Sequence, residues 1–165
     1  MTPPFDASTL LTVKHYLAQI GSLIDSLAQE DKADDILAAK LAPDMLNTGF
    51  HIGVASGFAA RSLALPAGLP FPDIPAEINC ATLKKHHGKI TNLVAGIQVA
   101  DLASPIRHRA GDANLEQEVS DYILRFALPN MIFHLSMAYA GLRQAGVEIG
   151  KADFDRLHIY TGPLD

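Results

Sequence analysis

A chain of 165 residues that is 48% hydrophobic and 19% charged holds enough apolar material for one buried core and too much to stay disordered. Its net charge of −5, with no basic cluster larger than Lys84-Lys85, excludes a nucleic-acid-binding surface, because phosphate recognition needs dense cationic charge. Its single cysteine, Cys80, excludes an internal disulfide and suits a reducing cytoplasm.

The N-terminus, MTPPFDAS, has no basic region followed by an apolar run, so it does not read as a signal peptide. A first helix starts at an Asp6 or Ser8 cap and runs to about Gln29. Leu10, Val13, Leu17, Ile20, Ile24 and Leu27 recur at spacings of three and four, the stripe of a helix facing a bundle core. After the acidic turn DKADD, a short helix covers roughly Ile36 to Leu41. Pro43 then suits the first position of a second long helix, expected to reach Leu65. PAGLPFPDIP follows as a stiff, proline-dense loop.

A third helix is expected over Ala76 to Val99, with Leu83, Ile90, Val94 and Ile97 on one face. The next segment, PIRHRAGDANLEQEV, is not helical in pattern; Gly111-Asp112 suits the turn of a short irregular hairpin. A fourth helix, capped by Ser120, runs to Ala145 and stops at Gly146, with a kink where Pro129 removes a backbone donor. FALPNMIFHLSMAYAGL, its most apolar part, is too short for a membrane span and is interrupted by Asn130 and His134. The tail is held by Ile149 and Phe154. The elements imply one all-α domain over residues 1–165, an up-and-down four-helix bundle.

Gly49, Gly53 and Gly57 lie on one face of the second helix, at spacing four. Each costs about 1 kcal/mol of helix propensity, so the stripe implies close approach of a neighbouring helix or, alternatively, room for a ligand. His51 points the other way, beside Val54 and Phe58. His86 and His87, adjacent on a helix and next to two lysines, read as a solvated edge.

LAPDM (Leu41 to Met45), RFALPNMIFH (Arg125 to His134) and AYAGLRQAGVEIGKADF (Ala138 to Phe154) resemble a domain-of-unknown-function family, a branch of the DinB-like, or YfiT-like, metalloenzyme superfamily. The resemblance implies a four-helix bundle, often a homo-oligomer, with a divalent metal on three histidines. One of these comes from the second helix and two from an H-x-x-x-H pair in the last. This sequence departs from that pattern. Asn130 and Ala138 flank His134 at spacing four, and Gly57-Phe58 stand where relatives carry Asp followed by His or Phe.

The candidate ligand-binding residues are therefore His51 and His134, with Asn130 or Asp121 as a third, and Arg125 and Tyr139 beside the kink. The expected function is a small-molecule-binding or structural homodimer without bound metal. The alternative is a transferase or hydrolase using zinc or nickel on His51 and His134.

Overall fold

The computed structural model describes residues 7–159 and 161; Asp6, the alternative first cap, lies outside them. The structure is mostly helical, with four long helices and one two-stranded sheet. The sheet corrects the all-α expectation. No helix among the described residues is long and apolar enough to cross a membrane.

Helix α1 (Ala7–Leu27) buries the six stripe residues anticipated from the periodicity, together with Leu23. Helix α2 (Ala33–Ala38) contributes Leu37 to the core. Pro43 does not open the next helix. It lies in a turn closed by the Met45 amide on the Ala42 carbonyl at 3.0 Å. Helix α3 (Thr48–Leu63) starts instead where Asn47 Oδ1 accepts from the Phe50 amide at 2.8 Å. An acceptor side chain that satisfies an orphan amide outweighs proline's conformational preference here.

Helix α4 (Cys80–Ala95) begins four residues later than the pattern suggested. Asn79 and Thr82 form a reciprocal cap, each side chain accepting from the other's amide at 2.9–3.0 Å. Leu83, Ile90 and Val94 face the core from α4, and Ile97 is buried just beyond it. Strands β1 (Ile106–Ala110) and β2 (Ala113–Gln117) pair antiparallel, with Ile106 opposite Gln117 and Ala110 opposite Ala113. The turn uses Gly111 at φ +58°, a value that favours glycine. Ile106 and His108 point inward from β1.

The last long helix comes in three parts. These are α5 (Val119–Asp121), a π-helical turn (Tyr122–Ala127) and α6 (Leu128–Gln144). Ser120 is not its cap, because the first amide, Val119, donates to Ser104 Oγ at 2.8 Å. The widened turn ends next to Pro129, where the missing amide donor disrupts the regular ladder. Gly146, at φ +91°, ends α6. A short α7 (Lys151–Asp155), unforeseen, carries Phe154 against the core.

Helix α3 lies against α1, α4 and α6. Its glycines do not meet a helix backbone. A Cβ on Gly49 would sit 2.6 Å from Ile78 Cγ2, and one on Gly53 would sit 3.1 Å from Ile74 Cγ2. Both isoleucines belong to the segment that leads into α4, so loop side chains fill the notches. The close α3–α6 approach runs through Gly141, whose missing side chain admits Thr48.

Candidate functional site

His51, on the face of α3 opposite the glycines, meets His134 of α6. Their Nδ1 atoms are 2.9 Å apart. One ring donates and the other accepts, which requires at least one neutral imidazole. Burial lowers the pKa of both rings. His134 falls from 6.5 to about 4, first through desolvation and then through the proximity of His51. The Phe58 ring stacks on His134 at 6.0 Å between centroids, and Phe133 meets it edge-on at 5.1 Å. His51 is 4% exposed, and its Nε2 has no partner among the described residues.

This pair does not make the donor set of a metal site. Two nitrogens held about 2.0–2.1 Å from a tetrahedral zinc lie about 3.3 Å apart, wider than the observed spacing. No group of three or more histidine, cysteine or carboxylate side chains among the described residues is placed to hold a metal ion. The residues present fit a hydrogen-bonded histidine pair better than a three-ligand centre.

The remaining sequence-derived candidates are not brought to the pair. Asn130, one turn before His134, donates Nδ2–H to its own helix at the Phe126 carbonyl, 2.7 Å away. Arg125 is exposed and paired with Asp121 at 3.4 Å. Tyr139 packs on Phe154 with ring centroids 5.8 Å apart. His86 and His87 are not a solvated edge. His86 is buried and bonded to the Gly53 backbone, and His87 sits in the gap left by Gly21, with Ser56 Oγ 3.5 Å from its Nδ1.

A cavity of about 450 Å³ opens beside the pair, sharing Phe58 with it, between α3, the proline-rich loop and β1. Val54, Phe58, Leu65, Phe71 and Ile74 give it an apolar wall, and Gly57 leaves its floor open. Four polar side chains not singled out from the sequence line it: Arg61, Asp73, Arg107 and His108. The Arg61 guanidinium lies over Phe58 at 5.3 Å and Phe126 at 5.7 Å. Its Nη2 donates to the Arg109 carbonyl at 3.4 Å. Below it, the Tyr122 hydroxyl donates to the Arg61 carbonyl at 3.2 Å, and burial raises the pKa of that phenol. Arg107 is tied to Glu116 at 2.6 Å. His108 packs on Phe126 and Tyr122 with its Nε2 2.7 Å from Gln117 Oε1, and its buried Nδ1 has no partner among the described residues.

One signal for this site was present. Phe58 and Arg61 are three apart, a spacing that puts them on neighbouring positions of one helix face. The contribution of His108 depends on strand alternation in a hairpin that the pattern defined only loosely.

A family model described as a domain of unknown function (DUF1993) matches residues 5–155, nearly the whole chain. The chain belongs to the DUF1993 family. The fold of this DUF1993 chain is similar to that of a solved structure, a DinB family member protein from Shewanella denitrificans. The TM-score is 0.75, with 24% sequence identity and 93% of each chain covered. The family model bears out the resemblance to a domain-of-unknown-function family, and the structural likeness shows that the fold is DinB-like. No curated protein matches the chain.

Proposed function

We propose that this DUF1993 chain is a small-molecule-binding four-helix-bundle protein, assembled as a homodimer, whose binding site is the cavity beside α3 and not a metal centre. The observation that carries the reading is that cavity. It is of small-molecule size and apolar on most of its wall, with a few polar groups, Arg61 and His108 among them, in the lining. The homodimer is supported by large apolar side chains left exposed on the last long helix, Leu124 at 47% and Phe133 at 53%.

The alternative, a metal-dependent transferase or hydrolase on His51 and His134, is favoured by one feature, the convergence of two imidazole nitrogens from different helices. It lacks a third ligand.

Amide NMR spectra of untagged protein, titrated separately with benzoate, benzyl alcohol and zinc, test the proposal. At least one of the organic probes should shift the amides of Gly57, Arg61 and Ile74. If zinc alone shifts signals, centred on His51 and His134, the proposal falls.

A further inference from the structure

Two arginines reach the cavity, but only one has a free charge. Arg107 is 81% exposed in its side chain and neutralised by Glu116 at 2.6 Å. Arg61 is half-buried and has no carboxylate partner among the described residues. Its guanidinium donates to the Arg109 carbonyl at 3.4 Å and interacts with the Tyr122 hydroxyl. A guanidinium carries five N–H donors, so part of its donor fork is left for a ligand. The guanidinium lies over the adjoining Phe58 and Phe126 rings, one from α3 and one from the π turn. Orientation by stacking removes much of the ordering cost a ligand would otherwise meet, and a planar fork matches a carboxylate bidentately. The apolar wall next to it, Val54, Phe71 and Ile74, suits a hydrocarbon or aromatic body.

We infer that the cavity takes a small carboxylic acid with an apolar or aromatic body, its carboxylate seated on Arg61. The inference rests on the binding reading above and adds the ligand class. One opposing charge is present. Asp73 stands exposed on the rim and repels an anion, weakly because solvent screens it. Removing that charge should therefore tighten binding, whereas removing the Arg61 charge should weaken it.

The experiment is an amide NMR titration of the full chain with benzoate, benzyl alcohol and inorganic phosphate, repeated on Arg61→Gln, Arg61→Lys and Asp73→Asn. Benzoate should bind at least about tenfold more tightly than benzyl alcohol, the effect of a charge-assisted hydrogen bond. Arg61→Gln should erase that preference and Arg61→Lys should recover part of it. Asp73→Asn should tighten benzoate about twofold.

Equal affinity for benzoate and benzyl alcohol would overturn the carboxylate inference and leave the binding reading standing. Tighter binding of phosphate than benzoate would also overturn it, by assigning an inorganic-anion site. No shift of the Gly57 and Ile74 amides with any probe would overturn both readings. Should Arg61→Gln fail to fold, the wild-type ranking and the surface variant Asp73→Asn still decide.

Discussion

Acid should destabilise this protein well before its carboxylates are protonated. Burial lowers the pKa of His51, His86, His87 and His134, all from an ordinary value of 6.5. The unfolded chain therefore binds more protons than the folded one between pH 6.5 and the folded values, and stability falls as pH falls through that window. For His134 the window runs from 6.5 to about 4. Its shift taken alone corresponds to about 2 kcal/mol lost between about pH 7.5 and about pH 5, and solvent screening of its half-buried ring reduces this to about 1 kcal/mol. His51 titrates with His134 as one hydrogen-bonded unit, so the two losses do not add.

His86 and His87 add to the loss in the same direction. The His134 contribution alone is a drop in the urea midpoint of about 0.5 M. Urea unfolding followed by circular dichroism at the two pH values measures it. The variant His134→Gln keeps a hydrogen-bonding group beside His51 and should lose distinctly less stability across the same window. A midpoint unchanged between about pH 7.5 and about pH 5 would refute the claim that these rings are held neutral by burial.

The α3 glycines give opposite expectations. Gly49→Ala forces a Cβ against Ile78 and Leu37 and should destabilise by about 1–3 kcal/mol. In contrast, Gly57→Ala meets nothing nearer than Ile74 Cγ1 at 3.9 Å and should stabilise the helix by up to about 1 kcal/mol; thermal melts of both variants separate the cases. Gly141→Val should be more damaging than either, because it strikes Thr48 where α3 and α6 approach; loss of soluble folded protein or a sharply lower melting temperature is the expected readout. Sedimentation at micromolar concentration should show twice the 17.7 kDa chain mass, and a purely monomeric species would remove the homodimer. Elemental analysis of untagged protein should find zinc and nickel far below one per chain, and stoichiometric metal lost in His134→Ala would restore the enzyme reading.

The helical part of the fold was legible because it depends on periodicity. Leu10 through Leu27 mark α1 by their spacing alone, and their burial follows. Boundaries were less legible because they depend on single side chains. Asn47 and Asn79 each start a helix several residues after the position that Pro43 or Ala76 suggested. The glycine stripe was visible, but its partner was not. Spacing reveals that a face is open, and it cannot say whether a backbone or the side chains of Ile74 and Ile78 will occupy it.

The site divides along the same line. His51 and His134 come from two regular helices and meet, as two inward positions on neighbouring helices can. The cavity instead depends on a break in regularity. A π turn holds more residues than an α turn, so Tyr122 and Phe126 are rotated out of the phase that a count of 100° per residue assigns them relative to His134. In the observed phase, Phe126 lies beneath both Arg61 and His108, and Tyr122 reaches the Arg61 carbonyl. One irregular turn next to Pro129 thus brings the last helix into contact with the hairpin and with the end of α3. The contact of Arg61 with Phe126 follows from that turn, which is why the spacing of Phe58 and Arg61 in the sequence does not foretell it.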